Sequence, residues 1–253
     1  MKTTIGASSL AALSGDLTCC DALCLLFDHV PGVQFWVKDC KGCYATMNRA
    51  CLLDYGFTDA AQARGKLDSE LSPAYIASQF VVDDARVLAG EMVASRVELV
   101  VRFDHTAVWC VTTKLPLRNG RGRIVGTAGI ARPLSANEPL ATHTDAAIAR
   151  VIEQFRRQIE EPMDSAALAR IAGLSVRAFE RRFRQSFHVS PQLYLRRLRV
   201  RLACQPLVYS KRSLSEIATS HGFCDQSHFG REFRRETGMS PREYREHFSA
   251  QRR

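Results

Sequence analysis

Apolar and polar positions follow two different rhythms along this chain. Between residues 31 and 134 the rhythm is short. Phe35-Trp36-Val37 reads as a strand, Lys38 to Gly42 as a polar turn, and Tyr44 to Met47 as a second strand. Asn48 to Tyr55 is a short helix, stopped by Gly56 at the position past the last helical residue, where glycine is favoured. Asp68 to Leu88 mixes loop and helix. Three further strand-like runs are Val97 to Phe103, Val108 to Leu117 and Ile124 to Ala131. The last two flank Arg118-Asn119-Gly120-Arg121-Gly122, whose Asn-Gly step signals a hairpin. Ahead of this block, Leu17 to Val30 predicts a short amphipathic helix. Two strands, helices and three more strands make an α+β domain over residues 17–134.

From Asp145 the period becomes helical. Ile148, Ile152, Phe155 and Ile159 share one face, which should pack on the helices C-terminal to it. Asp164 or Ser165 caps a helix with Leu168, Ala169, Ile171 and Ala172 on its apolar side. Gly173-Leu174-Ser175 is a turn, and Ser175 caps the next helix. There Phe179, Phe183 and Phe187 form an inward stripe, and at about 100° per residue Arg177, Arg181 and Arg184 lie opposite. Ser190-Pro191 opens a further helix, Gln192 to Val208. Ser213-Leu214-Ser215-Glu216 is then a capping box, His221-Gly222-Phe223 a turn, and Asp225 to Thr237 another helix. Phe229 and Phe233 point inward on it, leaving Gln226, Ser227, Gly230 and Arg231 outward. Gly238 ends it, and Ser240-Pro241-Arg242-Glu243 is a second capping box.

These helices are one unit written twice. Phe179, Arg181, Phe183, Arg184, Ser190, Pro191 and Tyr194 recur fifty residues later as Phe229, Arg231, Phe233, Arg234, Ser240, Pro241 and Tyr244. Ala169 and Gly173 recur at an offset of 49 as Ala218 and Gly222, so the second turn holds one extra residue. The two units cover about 165–187 and 214–237, inside an all-α domain over 145–250. Residues 135–144 belong to a linker, Leu134 to Thr144, that lacks apolar periodicity.

Charge separates the halves. Residues 1–140 hold 14 basic and 14 acidic side chains, whereas 141–253 hold 21 and 12, so the whole net charge of +9 lies with the repeat. An Arg-rich excess beside paired helix-turn-helix units is the electrostatic footprint of a phosphate backbone. A helix with aromatics inward and arginines outward is what a major groove accepts.

The repeat closely resembles the DNA-binding domain of the AraC/XylS family of bacterial transcription regulators. The residues that carry it are Leu168-Ala169, Gly173, Ser175, Arg181, Phe183, Ser190-Pro191, Tyr194 and Arg199. In the second copy they are Gly222-Phe223, Ser227, Phe229, Phe233, Gly238, Pro241, Tyr244 and Arg245. The resemblance implies seven helices, with two helix-turn-helix units joined by a linker helix. It implies base contacts from Arg177, Glu180 and Arg181 on the first recognition helix, and from Gln226, Ser227 and Arg231 on the second. Arg184 and Arg234 complete the expected DNA-binding set. Two residues depart from the family pattern. His188 stands where glycine is usual, and Pro206 interrupts the linker helix, either kinking it or ending it near Gln205.

The first half resembles a PAS domain through Val33 to Asp39, Lys41-Gly42, Asn48 and Gly56. Its closing hairpin is similar at Lys114-Leu115-Pro116-Leu117 and Gly122 to Gly126. The resemblance implies a five-stranded antiparallel sheet flanked by helices, and sensing or dimerisation. The flavin signature around a reactive cysteine is missing and His105 is a lone histidine, so no cofactor is expected.

The expected function is a sequence-specific transcription regulator, activator or repressor, and not an enzyme. Its expected partners are a double-stranded DNA operator and a second copy of the chain, with RNA polymerase and a small-molecule effector as further candidates. No run of about 18 apolar residues exists and Met1 to Gly15 lacks a signal-peptide core, so a cytoplasmic location without membrane contact is expected. Among the nine cysteines, Cys40 and Cys43 form a CxxC without the second pair a zinc site needs, so no metal is expected. Cys19, Cys20 and Cys24 read as small apolar residues of a helix. Two rival readings remain: a DNA-repair methyl-acceptor-like enzyme, which needs a metal-bound cysteine cluster, and a cysteine redox-sensing regulator.

Overall fold

The computed structural model describes residues 19–72, 74–102, 105–135 and 138–250. The expected helix start at Leu17, Phe103 at a strand end and Ala136-Asn137 of the linker lie outside them. The chain divides into two compact units. One takes in the described residues of Met1–Leu71, Phe80–Val93 and Thr113–Arg132; the other takes in those of Ser72–Gln79, Ala94–Thr112 and Pro133–Arg253.

The N-terminal region runs α1 (Cys19–Asp28), β1 (Gln34–Asp39), β2 (Tyr44–Met47), α2 (Arg49–Asp54), α3 (Asp68–Leu71), α4 (Ala74–Leu88), β3 (Val93–Val101), β4 (Ala107–Arg118) and β5 (Ile124–Pro133). Single 3₁₀ turns occur at Ala60–Gln62 and Leu140–Thr142. The strands form one five-stranded antiparallel sheet in the order β2-β1-β5-β4-β3. The two halves of the expected α+β pattern thus join by pairing β1 with β5, Trp36 opposite Gly129 and Lys38 opposite Thr127. Successive side chains of a strand alternate faces. Phe35 and Val37 meet Ala128 and Ile130 on the face that α1 covers with Cys20, Cys24 and Phe27. Phe27 and Phe35 stack with ring centroids 5.0 Å apart.

The other rhythm of β1 carries Lys38, which is 2 % exposed. Its ammonium reaches Asp68 at 2.6 Å and Asp84 at 2.7 Å. Lys114 meets Asp84 at 2.9 Å and Asp83 at 3.8 Å, and the Tyr44 hydroxyl donates to Asp68 at 2.8 Å. Charges this deep persist only when paired and hydrogen-bonded. On α4 the polarity is inverted to serve them, with Val81 and Val82 exposed and Asp83 and Asp84 buried.

Element ends depart from the sequence reading in small ways. The third strand starts at Val93 rather than Val97, and α1 ends at Asp28 rather than Val30. The Asn-Gly step is not the residue pair that takes positive φ. Gly122 takes it at +77°, while Asn119 accepts from the backbone of Arg121 and Arg123. That is a three-residue loop with glycine at its left-handed position. The linker is more anchored than its composition suggests. Leu134 and Leu140 are both buried in the core of the second unit, and His143 pairs with Glu138.

The second unit holds α5 (Ala146–Arg157), α6 (Ser165–Ala172), α7 (Val176–Phe187), α8 (Pro191–Tyr209), α9 (Leu214–Ser220), α10 (Gln226–Thr237) and α11 (Pro241–Ala250). Two apolar clusters correspond to the two copies. Ile148, Ile152, Phe155, Leu168, Phe179 and Phe183 lie in the first, with Ile159 and Phe187 packed at its margin. Ile217, Ala218, Phe223, Phe229, Phe233 and Tyr244 lie in the second. The helix α8 supplies Leu195 and Leu198 to one cluster and Val200, Cys204 and Leu207 to the other. It runs through Pro206 to Tyr209 instead of ending near Gln205.

Candidate nucleic-acid interface

Each recognition helix is placed by the same local devices. In the first copy the Asp164 carboxylate accepts from Ala167, Gly173 closes α6 at φ +68°, and the Ser175 hydroxyl accepts from Ala178 to start α7. In the second, Ser213 and Glu216 form a reciprocal capping box, and Asp225 accepts from His228 to start α10. Phe179, Phe183, Phe229 and Phe233 are fully buried, which fixes which face of each helix points to solvent. Both helices end in a left-handed residue, Gly238 at φ +79° and His188 at +60°. Histidine is therefore accepted where the second copy has glycine.

A second layer of the repeat was missed in the sequence. Arg150 on α5 donates to the carbonyls of Ile171 and Ala172, at the end of α6. Forty-nine residues later Arg199 on α8 donates to Gly222 at 2.9 Å, Ile159 at 3.0 Å and Glu161 at 2.7 Å. These guanidiniums hold the two turns to the preceding helix by occupying orphan carbonyls. Extending the offset of 49 upstream from Gly173 and Gly222 to Arg150 and Arg199 would have found them.

Pro206 has no N–H to give the Leu202 carbonyl, which therefore lacks its helical donor. The imidazole of His221 faces both that carbonyl and the Ile217 carbonyl, the latter at 2.8 Å from Nδ1. Burial holds the His221 pKa below the ordinary histidine value. Ion pairs brace α8 against α10: Arg197 to Glu236 at 3.2 Å, Arg201 to Glu236 at 3.6 Å and Arg196 to Glu232 at 3.8 Å.

The expected DNA-facing residues fall into two groups. Arg177, Arg181, Arg184, Gln226, Ser227, Arg231 and Arg234 are exposed, and Glu180 is half-buried. Arg184 is held by Glu180 at 3.4 Å, and Arg234 binds both oxygens of Glu243 at 2.9 and 3.1 Å. Within the described residues no hydrogen bond or ion pair engages Arg177, Arg181 or Arg231. Arg231 lies in the field of the Asp225 carboxylate, whose pKa is lowered mainly by the His228 N–H. The repeat-equivalent pair Arg181 and Arg231 thus offers two guanidiniums that no described residue satisfies.

The cysteines behave as packing residues where they are buried. Burial raises the thiol pKa of Cys24 and Cys51. Cys40 donates to the Ile124 carbonyl where β5 begins, and no grouping of three potential metal ligands occurs among the described residues. No helix among the described residues is long and apolar enough to cross a membrane.

Residues 168–247 match a helix-turn-helix domain family, and residues 27–139 match the PAS fold. The chain carries an AraC-type helix-turn-helix domain behind a PAS fold. Over 104 residues it is 39% identical to the HTH-type transcriptional activator RhaS of Escherichia fergusonii, covering 41% of this chain and 37% of that protein. It therefore spans well under half the length of the curated relatives it matches. The DNA-binding domain of the transcriptional factor AdpA, solved with a target DNA, is 33% identical. That match covers 45% of this chain and 96% of AdpA's, with a TM-score of 0.40. An AraC-type regulator structure from Chromobacterium violaceum is 29% identical, covering 41% and 92% of the two chains, with a TM-score of 0.38.

Proposed function

We propose that this protein is a sequence-specific DNA-binding transcription regulator, acting as a transcription factor and not as an enzyme. One observation carries the reading: two copies of one recognition helix, each presenting an unpaired guanidinium, are built onto a single 19-residue helix. Arg177, Glu180 and Arg181 read bases from α7, and Gln226, Ser227 and Arg231 read from α10. Arginine suits the paired acceptors of guanine, and Gln226 suits adenine. Arg184 and Arg234, already held by carboxylates, serve phosphates and set position without reading sequence. The two helices enter successive major grooves about 34 Å apart on one side of the duplex.

The PAS-like domain supplies dimerisation, and a second copy raises the local concentration of reading heads on paired sites. Leu25 and Leu26 on α1 are 56 and 65 % exposed, which supports a self-association surface there. A small-molecule effector and RNA polymerase are further partners in this proposal, and the cytoplasm is its setting. An effector entering the sheet's inner face would have to exchange with the Lys38–Asp84–Lys114 network.

The test is binding to the duplex that the full chain enriches from a randomised library. Arg181→Ala and Arg231→Ala should each weaken that duplex by about 1–3 kcal/mol and relax preference at positions one helical turn apart. Affinity should also fall steeply with salt, because basic contacts release counterions. Equal losses on the enriched and on random duplexes would reassign both arginines to phosphates.

A further inference from the structure

Gly230 stands in the middle of α10, four residues after Gln226 and one before Arg231. Nothing among the described residues calls for glycine there. It is not among the glycines with positive φ, and a Cβ built on it meets no atom within 4 Å. Glycine is the poorest interior helix residue after proline, because it surrenders most backbone freedom and adds no side chain. Its repeat-equivalent on α7 is Glu180, a good helix former bonded to Arg184. The flanking positions agree between copies: Phe179 and Phe229 are buried, and Arg181 and Arg231 exposed. A second shortening lies on the same face. Ser227 in α10 stands where α7 has Arg177. A serine hydroxyl reaches only a short distance from the helix, so it can touch a partner only if the backbone itself comes close.

We propose that Gly230 is the point of closest approach between the second recognition helix and the base-pair edges on the floor of the major groove. Its bare backbone sets how deep that head sits, which brings Ser227 within reach of a base and leaves the longer Gln226 and Arg231 to read on either side. The first head, with Arg177 and Glu180, reads from farther out with longer side chains. Gly230 is on this account a specificity-determining residue, and the inference rests on the DNA-binding reading above.

The test uses the full chain and the duplex it enriches from a randomised library. Gly230→Ala and Gly230→Leu are compared with the parent and with Arg231→Ala, reading both the urea midpoint of unfolding and the affinity for that duplex. Gly230→Ala should unfold at higher urea than the parent, yet bind the enriched duplex about tenfold more weakly, as for a lost base contact. Gly230→Leu should bind more weakly still, with a midpoint no lower than the parent's. An Ala variant that binds as tightly as the parent overturns the proposal, and so does one that unfolds earlier, since glycine would then serve the fold. If no duplex is enriched, or if Arg231→Ala binds undiminished, the DNA-binding reading itself fails and takes the inference with it.

Discussion

Gly222→Ala is the sharpest test of how the second turn is held. Gly222 sits at φ +73°, and an added Cβ would lie 2.6 Å from both Cζ and Nη2 of Arg199. Two costs combine. A side chain in the left-handed region costs about 1–2 kcal/mol. The clash also displaces a guanidinium that donates to three carbonyls, where each charge-assisted hydrogen bond contributes about 1.5–3 kcal/mol. Arg199 is half-buried, so water recovers part of that loss. A total of about 3–5 kcal/mol is expected, larger than the typical point substitution. Two other turns calibrate the estimate. At Gly238, φ is +79° but nothing lies within 4 Å, so Ala should cost only the backbone strain, about 1–2 kcal/mol. At Gly173 the nearest atom is the flexible end of Arg150 at 3.2 Å, which predicts a value between the two. Urea unfolding of the three variants should rank them Gly238, Gly173, Gly222 in increasing loss. In an Arg199→Ala background, Gly222→Ala should fall back to the strain cost alone. If Gly222→Ala and Gly238→Ala lose the same stability, or if the Arg199→Ala background changes nothing, the clamp argument is refuted.

The remaining expectations concern caps, the linker helix and the buried charges. Glu243 is held at about 2, below its ordinary 4.5, first by the Ser240 backbone N–H, then by the Ser240 hydroxyl and Arg234. Its folded pKa is the lower one, so its contribution is complete above about pH 4.5 and fades as pH falls toward 2. A carboxyl NMR titration with a midpoint near 4.5, or an acid response unchanged in Glu243→Gln, would contradict the cap. Pro206→Ala restores an N–H donor to the Leu202 carbonyl and should raise stability by up to about 3 kcal/mol. His221→Ala should then cost less in that background than in the parent, and additive effects in a double-mutant cycle would separate the two residues. Lys38→Met leaves Asp68 and Asp84 buried with one cation fewer and should cost about 3–5 kcal/mol by urea unfolding. A loss below about 1 kcal/mol, the range of exposed ion pairs, would show the network to be hydrated.

Much of the second domain was legible because helices are local objects. Asp164, Ser175, Ser213 and Asp225 cap their helices through backbone groups two or three residues away, and a period of 3.6 sorts Phe179 from Arg181 without reference to anything distant. The doubling at offsets of 49 and 50 then identified the aromatic core positions and the outward arginines of both copies. Strand assignments were less exact at their ends, because pairing partners rather than propensity decide where a strand stops. The hairpin turn was placed correctly, but which glycine takes the positive φ depends on the register of β4 and β5.

Long-range partnerships were not readable. Lys38 looks like the start of a polar turn beside Phe35-Trp36-Val37, yet it is buried, because Asp68 and Asp84 from two other helices meet it. The pair Val81-Val82 and Asp83-Asp84 reads as an ordinary amphipathic turn with the wrong side inward. Arg150 and Arg199 resemble solvent-facing charges and act as clamps, since their acceptors are carbonyls about 20 to 40 residues away in the chain. Pro206 could kink or end its helix as far as local rules go, and the His221 ring that accommodates it belongs to the turn after the next helix. The sequence by itself determined the helical repeat and which side chains of each copy point inward or outward, because these come from nearest-neighbour backbone chemistry and periodicity. Only the tertiary structure decided which arginines are spent on holding the fold and which remain unpaired, because that depends on acceptors brought near by folding.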